Sequence, residues 1–145
     1  MPQMDLKSLN ILAPAESGTE VELEHPATRE PLVDDKGTPW IIEVRGEDSE
    51  TVRRVIKKQH DKRMDRARKG QKGGSDADLS ESEQVQKLVA ATIGWSGLVM
   101  DGEPYPFNAQ NAHRLYSDPG FYWIVEQVQQ AMSDRARFFT NGSKS

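Results

Sequence analysis

The most constraining feature of this sequence is a basic stretch at residues 53–72, which holds ten Lys or Arg and two Asp. Because so many like charges cannot be buried without partners, most of this segment must face water. Its apolar and neutral side chains recur every three or four residues: Val52, Val55, Ile56, His60, Met64 and Ala67. This spacing predicts an amphipathic helix over residues 48–69 with a narrow apolar stripe, capped by Asp48 or Ser49.

The basic stretch contrasts with the rest of the chain. The chain has 19 Lys and Arg and 23 Asp and Glu. The basic stretch holds ten of the bases and two of the acids, which leaves nine bases and twenty-one acids elsewhere. Three interpretations follow: a solvated helix face, a surface for an acidic protein, or a surface for nucleic acid. The stretch contains no Phe, Tyr or Trp for base stacking and no helix-turn-helix or zinc-finger pattern, which disfavours nucleic acid.

Composition limits the chain to one modest core. Only 35% of its 145 residues are hydrophobic, so we expect a single domain over residues 20–140, a flexible arm over 1–19 and a tail over 141–145. The sequence has no Cys, which excludes disulfides, thiolate metal sites and cysteine nucleophiles. It has no apolar run of membrane-spanning length and no signal-peptide pattern at its start, so we expect no membrane association and a cytoplasmic location.

Local patterns predict the order of elements. Alternating residues near Val21 and the β-branched run near Ile41 predict a β-hairpin within residues 20–46, followed by the basic helix. Residues 70–79 are predicted as a linker, and residues 80–140 as the helical part. There, Ser80 predicts a capped helix ending near residues 94–97, Asn108 caps a helix over 109–116, and a last helix spans 119–139. The predicted fold class is mainly α, of α+β type, with three to four helices.

No catalytic pattern is present in the sequence. His25, His60 and His113 do not form a pair at metal-ligand spacing, and neither a nucleophile elbow nor a phosphate-binding glycine loop occurs. We therefore expect a protein that is not an enzyme, with no catalytic residues, no cofactor and no metal site.

Large aromatic residues concentrate in residues 94–97 and 104–107, and Trp123 lies off the apolar stripe of the last predicted helix. They either complete a small core or form an exposed patch that receives a partner. The candidate partner-binding residues are Trp95, Tyr105, Phe107, Trp123, Arg54, Lys58 and Arg66.

One string of motifs resembles a known family. It runs from a sheet-like start with Pro26 and Trp40 through the basic helix to a Gly-Trp pair at residues 94–95, followed by further short motifs. These motifs are Asp101-Gly102, Pro106-Phe107-Asn108 and Asn111-Ala112. Over about residues 20–140, the chain resembles the tail assembly chaperones of long-tailed bacteriophages and prophages.

The resemblance implies a non-enzymatic protein that binds the long tape-measure protein, keeps it soluble and helps to recruit tail-tube subunits. It also implies self-association, a location in the host bacterial cytoplasm and absence from the mature virion. The family has no fixed set of ligand residues to transfer. The alternative is a small nucleic-acid-binding accessory protein that acts through residues 53–72.

Overall fold

The computed structural model describes residues 4–70 and 76–142, which contain six α-helices and five short β-strands. The helices are α1 (Leu12–Ser17), α2 (Glu50–Lys69), α3 (Asp76–Ala91), α4 (Ala109–Ser117), α5 (Tyr122–Ser133) and α6 (Arg135–Gly142). The strands are β1 (Thr19–Glu22), β2 (Ile41–Val44), β3 (Thr92–Ser96), β4 (Val99–Met100) and β5 (Glu103–Pro104). One-turn 3-10 helices lie at Leu6–Leu9 and Pro119–Phe121. The α+β class is confirmed, but the predicted number of helices is too small.

Strand β2 is the centre of a three-stranded antiparallel sheet. It pairs with β1, as the alternating pattern predicts, with Val21 opposite Ile42. It also pairs with β3, with Ile42 opposite Trp95. The prediction that residues 94–97 end a helix is wrong, because the chain passes directly from α3 into β3. The Arg45 N–H donates to the Ala91 carbonyl at 2.8 Å, which joins the end of α3 to the end of β2.

The core lies between one face of this sheet and helices α3, α4 and α5. Alternation along the strands turns Val21, Ile42 and Val44 toward it, and all three are buried. These three helices supply most of the other side chains of this cluster: Val85, Leu88, Ala91, Ala112, Leu115, Tyr116, Ile124, Val125, Val128, Ala131 and Met132. The sheet therefore uses one face for the core, as antiparallel sheets commonly do.

The basic helix α2 begins at the predicted cap, where Ser49 Oγ accepts the Val52 N–H at 3.2 Å. The predicted apolar stripe is wrong in part, because Ile56 is 42% exposed and Met64 is 50% exposed. The physical reason is that α2 packs on α3 along a polar edge instead. There, Gln59 Nε2 donates to the Glu83 carbonyl at 2.8 Å.

Part of the predicted arm is folded. In α1, Ala15 is buried, and its carbonyl accepts the Gly46 N–H at 2.9 Å. The carboxylate of Glu16 accepts hydrogen bonds from the side chain and the backbone N–H of Thr51, which lower the pKa of Glu16. These bonds connect α1 to the first turn of α2. Residues 1–3 lie outside the described residues.

The remaining boundaries also differ from the predictions. Helix α3 begins at Asp76, within the predicted linker 70–79, so Ser80 lies inside this helix instead of capping it. The predicted last helix is divided at Asp134, whose backbone is extended. Helix α6 then reaches Gly142, within the predicted tail 141–145. The other parts of those predictions, residues 71–75 and 143–145, lie outside the described residues.

Candidate partner-binding surfaces

Three of the predicted contact aromatics form one cluster. The rings of Trp95 and Tyr105 stack, with centroids 5.8 Å apart and an interplanar angle of 10°. Phe107 meets Trp95 edge to face, with centroids 5.0 Å apart. All three are half-buried and pack against the core. The structure therefore supports the first interpretation of these residues, as part of the core, and leaves part of each ring accessible.

Hydrogen bonds fix the loop that carries this cluster. Trp95 Nε1 donates to the Tyr105 carbonyl at 2.7 Å, and the Tyr105 N–H donates to the Leu98 carbonyl at 2.8 Å. Asn111 Nδ2 donates to the Pro106 carbonyl at 2.9 Å. The predicted cap of α4 is present, because Asn108 Oδ1 accepts the Asn111 N–H at 2.7 Å. The indole N–H of Trp95 is thus used within the protein.

The stacked pair borders a groove with a volume of about 610 Å³. The turn at residues 34–37 also contributes to the lining of this groove, and in it Asp34 Oδ1 accepts the N–H groups of Lys36 and Thr38 at 2.9 and 2.8 Å. The Thr38 bond is the main cause that holds the pKa of Asp34 below its usual value. We refer to this cavity as the aromatic groove; it is lined by Asp34, Asp35, Lys36, Trp95, Ser96, Gly97, Leu98, Val99, Gly102, Pro104, Tyr105 and Pro106.

A close backbone contact holds the two sides of the aromatic groove together. Gly97 has a φ of +85°, and a Cβ at this position would lie 2.3 Å from the Pro39 carbonyl oxygen. Only glycine accommodates both the conformation and this distance. The chain entering β2 is therefore held against the chain leaving β3.

A buried hydroxyl pair holds β3 against α4 on the core side. Thr92 Oγ1 lies 2.7 Å from the Leu88 carbonyl oxygen and 2.7 Å from the Tyr116 hydroxyl. Burial raises the pKa of Tyr116 to about 12. The strand that carries Trp95 thus has a fixed position relative to the helix that receives the aromatic loop.

Trp123 lies apart from this cluster in the sequence, on α5, where it is half-buried and packs against the core. The sequence-based prediction grouped it with the other aromatics. The structure does not bring it into ring contact with Trp95, Tyr105 or Phe107 within the described residues. Trp123 is only partly buried, whereas Ile124, Val125 and Val128 of α5 are buried, as the helical spacing predicts.

The three predicted charge contacts lie on α2. Arg54, Lys58 and Arg66 recur at multiples of four residues and so follow one row along the helix. Arg54 is paired with Glu50 at 2.6 Å, an exposed pair of the kind that contributes little stability. Among the described residues, neither Lys58 nor Arg66 forms an ion pair with an acidic side chain.

The structure reveals a further surface that the sequence-based candidates missed. The described residues expose eight large hydrophobic side chains, of which six lie in residues 4–12 and on α2. Leu12 borders a cavity of about 370 Å³ beside Arg53, Arg54 and Lys57. We refer to these residues together as the apolar–basic surface: the exposed side chains of residues 4–12 and α2 (Met4, Leu6, Leu9, Leu12, Ile56 and Met64) and the cations beside Leu12 (Arg53, Arg54 and Lys57). Glu50 lines the same cavity as Leu12.

Helical spacing explains how α2 contributes to the apolar–basic surface. Arg53, Lys57, His60 and Met64 follow one another at steps of three or four residues, so they share one side of the helix. The signal in the sequence was the repetition of leucine at every third position, at residues 6, 9 and 12. This spacing does not enter the candidate surface because residues 1–19 are predicted as a flexible arm.

Residues 4–70 and 76–142 contain no group of three or more His, Cys, Asp or Glu side chains placed to hold a metal ion. No helix in the same residues combines the length and the apolar character that crossing a membrane requires.

Comparison with known proteins gives no relative. A scan against protein-family models, a search of curated proteins and a search of solved structures each return no match.

Proposed function

We propose that this protein is a non-enzymatic tail assembly chaperone of a long-tailed bacteriophage. In this role it binds the tape-measure protein, keeps it in solution and helps to recruit tail-tube subunits. It acts in the host bacterial cytoplasm, self-associates, and is not part of the mature virion. The motifs at residues 94–95, 101–102, 106–108 and 111–112 support the proposal through their resemblance to this family.

The observation that carries the proposal is the apolar–basic surface. Leu6 is 87% exposed and Leu9 is 47% exposed, which is unusual for two leucines so close in a chain with few hydrophobic residues. Exposed apolar side chains, of which Leu12 lies beside Arg53 and Lys57, suit an amphipathic helix whose apolar face is flanked by acids. A long helical protein that must be kept soluble presents many such faces.

Co-expression tests this function directly. The tape-measure protein of the same phage is produced with and without this chain, and its soluble yield and co-purification are measured at low and high salt. We expect soluble tape-measure protein only in the presence of this chain, and retention at high salt, because apolar burial is not screened by salt. An unchanged soluble yield would refute the chaperone function.

Substitutions locate the contact. The variant Leu6→Ser/Leu9→Ser/Leu12→Ser removes three exposed leucines, and each contributes about 1–2 kcal/mol when buried at an interface. We expect binding to weaken at least about a hundredfold. The matched control is Val33→Ser/Tyr122→Ser, since Val33 and Tyr122 are 52% and 53% exposed outside this surface. Equal loss in both variants would show that the apolar–basic surface is not the contact.

The alternative function is nucleic-acid binding through residues 53–72. It is favoured by one observation: among the described residues, Lys57, Lys58, Lys62 and Arg68 form no ion pair with an acidic side chain. Binding to phosphates would weaken steeply with salt, by about 0.9 log units per log unit of salt for each phosphate neutralised. Retention of DNA or RNA at low salt and release at high salt, with no effect on the tape-measure protein, would favour this alternative.

A further inference from the structure

The aromatic groove combines two kinds of wall. Trp95 and Tyr105 form an aromatic wall, and the turn with Asp34 and Asp35 forms an acidic wall. Its volume of about 610 Å³ lies within the range of about 300–1,000 Å³ that is typical of ligand pockets. It does not overlap the apolar–basic surface, so an inference about it is independent of the proposed function.

Acidic side chains outnumber basic ones around this groove. Asp101 and Glu103 are exposed and flank Gly102, which lines the groove together with Asp34 and Asp35. None of these four carboxylates is ion-paired with a Lys or Arg in the described parts of the chain. Among the described residues, Lys36 is the only cationic side chain that lines the cavity, against the two carboxylates of Asp34 and Asp35, so this lining has a net negative charge.

Both walls are fixed before any ligand arrives. The Asp34 carboxylate is held by the N–H groups of Lys36 and Thr38, and the indole of Trp95 is held by the Tyr105 carbonyl. The close contact between Gly97 and Pro39 holds the chain after β3 against the chain before β2. A preorganised site of this kind loses little conformational entropy when a ligand binds.

We infer that the aromatic groove binds an extended segment of a partner protein through an arginine side chain. A guanidinium stacks on the faces of Trp and Tyr and forms paired hydrogen bonds with carboxylates, so it matches both walls at once. Lysine lacks the planar group that stacks on an aromatic face. Grooves lined by aromatic residues receive extended, proline-rich segments, whose side chains remain free to insert.

The test is an NMR titration of the full chain with a capped peptide, Ala-Pro-Arg-Pro-Ala, and with its neutral counterpart, Ala-Pro-Gln-Pro-Ala. We expect the arginine peptide to shift the amide signals of Gly97 and Gly102 and the indole signal of Trp95. The glutamine peptide is expected to leave them in place. Equal shifts with both peptides, or shifts confined to other residues, would overturn the inference.

A charge variant separates the acidic wall from general electrostatics. In Asp34→Asn/Asp35→Asn, the amide oxygen of Asn at position 34 still accepts the turn's N–H groups, so the fold is kept. We expect at least about a tenfold loss of affinity for the arginine peptide. The control Glu22→Gln/Glu126→Gln removes the same charge at exposed sites outside the groove and is expected to change affinity less than about twofold. Equal effects of the two variants would refute a site at the groove.

Discussion

The buried hydrogen bond between Tyr116 and Thr92 gives a prediction whose size and pH dependence can both be worked out. Thr92 has a single hydroxyl proton, and this proton is donated to the Leu88 carbonyl, which can only accept. Tyr116 must therefore donate to Thr92. The variant Tyr116→Phe removes this donor but leaves Thr92 hydrogen-bonded to Leu88, so we expect it to lower the free energy of unfolding by about 0.5–1.5 kcal/mol.

Substitution of the other partner, Thr92, is expected to lower the free energy of unfolding more than Tyr116→Phe does. Thr92→Val leaves the Tyr116 O–H buried without an acceptor, which adds about 1–3 kcal/mol of desolvation. In the double variant, both polar groups are gone and the shapes are nearly kept. Its destabilisation should therefore be smaller than the sum of the two single effects.

The pH dependence follows from the buried phenol. Burial raises the pKa of Tyr116 to about 12 in the folded state, against about 10 in the unfolded chain. Because the unfolded state ionises first, the stability contributed by the neutral phenol is complete below pH 10 and is lost between pH 10 and about 12. At pH 11 this loss amounts to about 1.4 kcal/mol in the wild-type protein and is absent from Tyr116→Phe.

Urea unfolding of both proteins at pH 8 and pH 11 measures this difference. Since all other titrating groups are shared, their contributions cancel in the comparison. We expect the stability difference between wild type and Tyr116→Phe to move by about 1.4 kcal/mol in favour of the variant at pH 11. An unchanged difference would show that the Tyr116 phenol is not buried in the folded protein, and a Thr92→Val variant as stable as Tyr116→Phe would contradict the assigned donor.

Three further predictions concern the frame around the candidate surfaces, and each is measured by urea unfolding. Phe138→Ala is expected to lower stability by about 3–5 kcal/mol, because this ring is 1% exposed; a loss below 1 kcal/mol would mean that α6 is not docked. Asn108→Ala is expected to lower stability by about 1 kcal/mol through loss of the cap of α4, and no loss would contradict the cap. Gly97→Ala combines a positive φ with a backbone clash, so it is expected to lower stability more than Gly102→Ala, where φ is positive but the space is open. Equal losses of stability would contradict the contact with Pro39.

Part of the fold is readable from local patterns. The alternation around Val21 and the run at Ile41 predict β1 and β2, because one face of each strand is buried. The side chains of Ser49 and Asn108 predict the starts of α2 and α4, because capping depends on neighbours two or three residues away.

What could not be read depends on distant partners. Strand β3 contains a glycine and follows α3 without a loop, so only its pairing with β2 makes it a strand. No Pro or Gly marks the break between α5 and α6 at Asp134. The apolar spacing of α5 also continues to Phe138, so the sequence predicts one continuous helix. The helical spacing predicts Ile56 as part of a buried apolar stripe. It is exposed because α2 contacts α3 through polar side chains such as Gln59.

The aromatic groove was only half predicted. The size of Trp95 and Tyr105 makes them candidates from the sequence, whereas no sequence motif indicates Asp34 and Asp35 as part of a site. The two halves are some sixty residues apart in the chain, and the link between them is the contact of Gly97 with Pro39. A local pattern carries no information about such a contact.

The central position of β2 imposes an order on folding during synthesis. Its partner β3 lies about fifty residues downstream, which at about 5–20 residues per second takes about three to ten seconds to make. During that interval the nascent β1–β2 hairpin has an open edge, the kind of edge at which chains aggregate. The segment made meanwhile contains α2 and α3, and the positive charges of α2 repel neighbouring copies. Because the basic helix lies between two paired strands in the sequence, we expect its charge to keep nascent chains apart while the last strand is still on the ribosome.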